Sequence, residues 1–112
     1  MPDTTVEHRD HRYEIRVGDD VAGEAQYVDR GNQRIFFHTE IDPAFQGQGL
    51  SKPLIRDALD DTRQAGMRIV PVCRAVARYV RKHSSFDDIT DRVTPELLKQ
   101  LRAALDQAPD GH

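Results

Sequence analysis

The segment Phe36-Phe37-His38-Thr39-Glu40-Ile41-Asp42-Pro43-Ala44-Phe45-Gln46-Gly47-Gln48-Gly49-Leu50-Ser51 constrains this chain more than any other. It opens as a β-type run, breaks at a glycine turn and feeds directly into an amphipathic helical pattern. Glycines at 47 and 49 let the backbone turn tightly with N–H groups facing outward, because glycine enters the left-handed region without steric cost. The helix that follows adds the unpaired N–H groups and the positive dipole end of its first turn. Together they make an anion cradle that suits a diphosphate. A Gly-x-Gly turn by itself also serves merely to reverse the chain between a strand and a helix, so the flanking residues decide between the two readings.

Those flanks order into a mixed α and β pattern. Residues 1 to 11 are polar and charged without an apolar period, and are expected to form a loose, flexible arm. Tyr13 to Val17 alternates as a strand should; Gly18-Asp19-Asp20 turns into a second strand over Val21 to Val28, and Asp29 to Gln33 turns again into a third over Arg34 to Ile41. An antiparallel meander is the simple reading. Leu50, Leu54, Ile55, Ala58, Leu59 and Ala65 fall on one side of a helix whose other side carries Lys52, Arg56, Asp57, Asp60, Asp61 and Arg63. Gly66 caps it. Met67 to Val72 then returns as a strand that must run parallel to the one before, because a helix separates them. Val76, Tyr79, Val80 and His83 mark the buried stripe of a short helix. Thr94-Pro95-Glu96 combines a hydroxyl cap, proline at the first helical position and a carboxylate at the positive end. It opens a last helix with Leu97, Leu98, Leu101, Ala104, Leu105 and Ala108 as its apolar face and Pro109 and Gly111 at its end. That helix either covers the sheet or pairs with a second chain as a homodimer.

Length and charge narrow the function classes. A chain of 112 residues is expected to form one domain with a usable core. Its apolar runs fall far short of the ~20 residues that cross a bilayer, and the acidic start is unlike a secretory leader. A soluble, cytoplasmic protein is expected. Cys73 is the sole cysteine, which excludes an internal disulfide and most thiolate metal sites. His8-x-x-His11 lacks the further ligands a metal would need. The net charge of −3 offers no general attraction to nucleic acid or to an anionic membrane.

Gln46-Gly47-Gln48-Gly49-Leu50-Ser51 resembles the acetyl-CoA pyrophosphate loop of the GNAT N-acetyltransferase superfamily, Gln/Arg-x-x-Gly-x-Gly/Ala, with Ser51 at the last small position and Pro53 in the first helical turn. Ile69 to Phe86 resembles the second half of that fold, in which a strand splays from its neighbour and a helix carries Ala-x-x-x-Tyr before a terminal aromatic; Ala75, Tyr79 and Phe86 stand in those places. His38-Thr39-Glu40, the glycine loop, Pro71-x-Cys73 and the Tyr79 to His83 spacing resemble the short single-domain YjdJ-type acetyltransferases in particular. The resemblance covers Tyr13 to Ile89. It implies an α+β, GNAT-like fold with a reduced acetyltransferase domain over 12–90; the additional C-terminal amphipathic helix and tail over 91–112 lie beyond it.

The resemblance further implies acetyl-CoA as cosubstrate, without a metal, and direct transfer to an amine acceptor in a ternary complex. Contacts to acetyl-CoA fall to Thr39, Glu40 and Ile41 on the strand, to Gln46, Gly47, Gln48, Gly49, Leu50, Ser51 and Lys52 at the turn, and to Cys73 and Tyr79 beyond the second strand. A backbone N–H at a bulge within His38 to Ile41 would bind the thioester oxygen, and the pantetheine arm would lie between that strand and Ile69 to Val72. Tyr79 is implied as general acid; periodicity alone makes it a core tyrosine. Glu40 and His38 share a strand face and either suits proton acceptance, with cross-strand pairing or solvation as the alternative. Cys73 is either an acetyl-accepting nucleophile or buried filler. Lys52 and Arg56 either add charge around the diphosphate or are simply solvated, and His83 is implied to hold a helix end. The meander's first turn has no room for an acceptor-walling helix, so the acceptor side is expected to be open to a peptide, polyamine or small metabolite. The competing readings are a coenzyme-A-binding or interaction module without turnover, and an adaptor whose glycines serve only the turn.

Overall fold

Four antiparallel strands fold in sequence order because short polar turns separate runs of alternating residues. The computed structural model describes residues 3–107. Strands β1 (Thr4–Arg9), β2 (Arg12–Val17), β3 (Asp20–Arg30) and β4 (Gln33–Ile41) form the meander, and β5 (Arg68–Pro71) adds to β4 in parallel, giving the order β1-β2-β3-β4-β5. After β4 come a single 3-10 turn (Pro43–Phe45), the glycine loop and α1 (Ser51–Gln64); after β5 come α2 (Arg74–Lys82), a 3-10 segment (Ser84–Ile89) and α3 (Pro95–Gln107).

The loose arm expected over residues 1 to 11 is instead a strand over Thr4–Arg9, paired along its length with β2 from Thr4 opposite Val17 to Arg9 opposite Arg12. Polar and aromatic contacts hold it rather than an apolar stripe. His8 stacks on Tyr13 with ring centroids 4.3 Å apart, hydrogen-bonds the Tyr27 hydroxyl, and places Nδ1 3.2 Å from Asp61 of α1. Beneath it lies Arg34, buried in β4. Its guanidinium donates to Asp29 at 2.9 and 3.0 Å and to the Tyr13 hydroxyl at 2.6 Å, and that hydroxyl donates to Asp61 at 2.7 Å. Burial opposes the Arg34 charge, but the Asp29 bonds more than offset it and the guanidinium stays charged.

Helices lie on both faces of the sheet. Under α1 and α2, Leu54, Ile55, Leu59, Val76 and Val80 pack on Ile15, Tyr27, Phe36 and Ile69. Val76 and Val80 are buried as expected, whereas Tyr79 and His83 are only half-buried. On the opposite face Leu97 and Leu101 of α3 pack against Ile35 and Val70, with Val28, Phe37 and Val72 around them. Thr94 caps α3, its hydroxyl accepting the Leu97 N–H at 3.1 Å. The last helix therefore covers the sheet, while Leu98 and Leu105 of its predicted apolar face remain exposed. Ala108, Pro109 and Gly111 lie outside the described residues.

Candidate functional site

β4 and β5 run together only briefly. They pair from Gln33 opposite Arg68 to Phe36 opposite Pro71, and the Phe36 carbonyl then accepts both the Val72 N–H at 3.0 Å and the Cys73 N–H at 2.9 Å. Beyond that point the chain turns into α2, while β4 continues to Ile41 with β3 as its partner. From Phe37 to Ile41 the strand thus has no strand partner on its β5 side, and a wedge opens there. Its mouth is an open groove of about 450 Å³ between Phe37, His38 and Thr39 on β4 and Cys73, Arg74, Ala75 and Arg78 at the start of α2. Thr39 Oγ1 and Cys73 Sγ approach to 3.2 Å across it.

A β-bulge sits at the apex. Gln26 pairs with His38 and Tyr27 with Phe36, so Phe37 is the extra residue. This places the irregularity at Phe37, one residue before the window His38 to Ile41 expected from the sequence. Its effect on side-chain phase is large, because a bulge puts two successive residues on one face. Phe37 joins the cluster under α3, His38 follows on that face, and Thr39, opposite buried Ala25, points toward α1 and α2. His38 and Glu40 do share a face: His38 Nε2 lies 3.0 Å from Glu40 Oε1, both side chains largely exposed.

The cradle follows at the end of β4. Asp42 starts it, accepting the Ala44 N–H at 2.9 Å, and the Gln46 side chain donates to the Ile41 carbonyl at 3.1 Å. Gln46 thus ties the loop to the strand with its side chain. Gly47 and Gly49 then take φ values of +87° and +72°, a region that a side chain resists. Among the described residues, the N–H groups from Gly47 to Lys52 make no hydrogen bond, and the first bond of α1 runs from the Leu54 N–H to the Leu50 carbonyl at 3.2 Å. Pro53 has no N–H to leave unpaired. A Cβ placed on Gly47 or Gly49 would meet nothing within 4 Å, so the side of the loop that carries these positions is open space. Leu50 is buried in the core, Ser51 is half-buried, and Gln48 and Lys52 are exposed.

Tyr79 does not line the groove. It stands one turn after Ala75 on α2, stacked on His83 with centroids 4.2 Å apart, and its hydroxyl has no partner among the described residues. Burial pushes its phenol up, Arg56 of α1 pulls the other way, and the hydroxyl is a proton donor at neutral pH. The structure therefore gathers Thr39, Cys73 and His38 at one opening and sets Tyr79 behind it, between α2 and α1. No set of three or more His, Cys, Asp or Glu side chains among the described residues is grouped as metal ligands would be, and no helix is long and apolar enough to cross a membrane.

Sequence reasoning missed Arg78, four residues after Arg74, as a groove residue and the anchoring of the loop by Gln46. The first had a readable signal, since positions four apart on a helix share a face. The second depends on where the strand end lies relative to the loop.

One solved structure shares this architecture. A GCN5-like candidate N-acetyltransferase from Staphylococcus aureus, solved in solution, superposes with a TM-score of 0.62 at 20% identity, over 81% of this chain and 91% of that one. A GNAT-family candidate acetyltransferase from Desulfovibrio desulfuricans aligns over 65% of this chain and 51% of that one, with 22% identity and a TM-score of 0.46. No curated protein matches the chain significantly. The family model described as GCN5-related N-acetyl-transferase matches residues 12–89, which span β2 through the segment after α2. The chain belongs to the GCN5-related N-acetyltransferase family.

Proposed function

We propose that this protein is an acetyl-CoA-dependent N-acetyltransferase, a short single-domain member of the YjdJ type, that transfers acetyl directly to an amine. The observation that carries the proposal is the run of unpaired N–H groups from Gly47 to Lys52 at the end of a strand whose β5-side edge is free. The residues fit the cosubstrate: unpaired amides at the start of a helix suit a pyrophosphate, and the strand edge from Phe37 to Glu40, without a strand partner on its β5 side, suits an extended amide-bearing arm. Bound acetyl-CoA supplies an activated acyl group and a thiolate leaving group.

Each residue then has a limited task. Gly47, Gln48, Gly49, Leu50, Ser51 and Lys52 hold phosphate through main-chain N–H groups, with Lys52 and Arg56 adding charge. Thr39, Glu40 and Ile41 present the strand edge, and the backbone at the Phe37 bulge orients the acyl carbonyl. His38, backed by Glu40, takes the proton of the incoming ammonium. Tyr79, set between α2 and α1 one turn after Ala75, returns a proton to the departing sulfur. Cys73 shapes the mouth through its contact with Thr39 and takes no acyl group. The Gly18-Asp19 turn between β2 and β3 leaves the acceptor side open.

The test is release of coenzyme A thiol from acetyl-CoA across a panel of amines, wild type against Tyr79→Phe. Saturable turnover with at least one amine, reduced about 100-fold in kcat by the substitution, is expected. Binding of acetyl-CoA without turnover by any amine would make the protein a coenzyme-A-binding module. Absence of binding would leave the glycines a turn and nothing more.

A further inference from the structure

The groove at the wedge carries more charge than acyl transfer alone needs. Arg74 and Arg78 stand four residues apart, so their side chains rise from one face of α2 into the same opening. Arg34, Arg63 and Arg68 are clamped by Asp29, Asp88 and Asp91, whereas Arg74 and Arg78 have no ion-pair or hydrogen-bond partner among the described residues. The facing wall offers the opposite chemistry: His38 lines the groove, and its Nε2 lies 3.0 Å from the Glu40 carboxylate. The volume, about 450 Å³, is that of a small-molecule site and is continuous with the wedge.

Two free guanidiniums on one wall and a carboxylate-backed imidazole on the other complement a zwitterion. We infer that the acceptor is a small amine bearing a carboxylate, of the α-amino-acid type, held by its carboxylate on Arg74 and Arg78 with its amine at His38 and Glu40. This inference rests on the acetyltransferase reading above. Guanidinium suits the task, since its planar fork bonds a carboxylate bidentately and cannot lose its charge. The amine nitrogen, freed of one proton by the His38–Glu40 pair, bonds to the acetyl carbon and the carbon–sulfur bond breaks; the nitrogen gives its second surplus proton to water as the amide forms, while the thiolate takes a proton from Tyr79, which solvent reprotonates. The diphosphate has its own cradle at the start of α1, so the two arginines are not needed for it.

The experiment compares free amino acids with their amides and their decarboxylated amines as acceptors, in the wild type, Arg74→Ala/Arg78→Ala and Arg74→Lys/Arg78→Lys. Wild type should prefer the carboxylate-bearing acceptor by roughly 10- to 100-fold in kcat/KM, the worth of charge-assisted hydrogen bonds. The alanine pair should erase that preference through KM, with kcat for the amide unchanged and the Kd of acetyl-CoA within twofold. The lysine pair should restore part of the preference. Equal use of all three acceptor types, or a rise in the Kd of acetyl-CoA on losing the arginines, overturns the inference and leaves the acetyltransferase reading intact. No thiol release with any acceptor overturns both.

Discussion

Replacing Gly47 or Gly49 by alanine should cost a fixed free energy that appears in one of two places. Both glycines have positive φ, +87° and +72°, and an added Cβ would meet no atom within 4 Å at either position. There is no clash to relieve, so the penalty is the backbone's own, about 1–2 kcal/mol for an L-residue held in the left-handed region. If the loop keeps its shape, stability falls by that amount and Tm drops by roughly 4–8 °C per kcal/mol for a domain near this size. If the loop relaxes instead, Tm holds and acetyl-CoA must restore the conformation on binding, which raises Kd by roughly 5- to 30-fold. Thermal melting and titration calorimetry on each variant read the two shares, and their sum should stay near 1–2 kcal/mol. Gly31 is the control. Its φ is +59° with equally open surroundings, in the β3–β4 turn away from the wedge, so Gly31→Ala should lower Tm and leave Kd untouched. A Gly49→Ala variant with Tm within about 1 °C of wild type and Kd within about twofold would refute the reasoning.

Gly23→Ala should destabilise by about 1–3 kcal/mol through overpacking: its Cβ would fall 2.5 Å from the flexible Ile41 Cδ1 but also 2.7 Å from the Glu40 carbonyl oxygen, which is backbone. A Tm equal to wild type in a calorimetric scan would count against the β3–β4 packing described here. Cys73→Ser should retain kcat within about threefold, because serine keeps the bond to Thr39 and direct transfer needs no thiol; a loss near 100-fold, the scale of a missing catalytic group, would place the thiol in the reaction. Burial raises the Asp91 carboxyl, but bonds from Gln33 and Arg68 outweigh it and the folded pKa lies below the ordinary value. The unfolded chain therefore binds that proton more readily, and the stabilisation is full above about pH 5 and lost as pH falls through the folded value. Melting temperatures of wild type and Asp91→Asn should differ at pH 7 and draw together as pH falls below the ordinary carboxylate range; a gap that does not narrow would contradict the assignment.

What could be read without coordinates was what depends on neighbours in sequence. The left-handed glycines, the apolar stripe from Leu54 to Leu59, the Gly66 stop and the parallel return at Arg68 are local or follow from chain connectivity, and all four stand in the structure. β1 escaped because Val6 is its only large apolar residue, and its anchor is a histidine that finds Tyr13, Tyr27 and Asp61 only once β2, β3 and α1 are assembled. Arg34 is charged and yet buried, since Asp29 and the Tyr13 hydroxyl satisfy its charge from two other strands, a pairing that no local pattern carries. The bulge at Phe37 is a mismatch of register between β3 and β4, which no single strand encodes. That mismatch decides which of His38 and Thr39 faces the wedge from which side, so the finer layout of the site was the least legible part.

The account turns on the amides from Gly47 to Lys52, and titrating ¹⁵N-labelled protein with acetyl-CoA observes them one by one. Saturable shifts should be largest at Gly47, Gln48, Gly49, Leu50, Ser51 and Lys52, downfield as N–H groups take up phosphate oxygens, with smaller shifts at Phe37 to Ile41 along the strand edge. Saturation that leaves the loop amides unmoved while other residues shift, or no saturation at all, would contradict it.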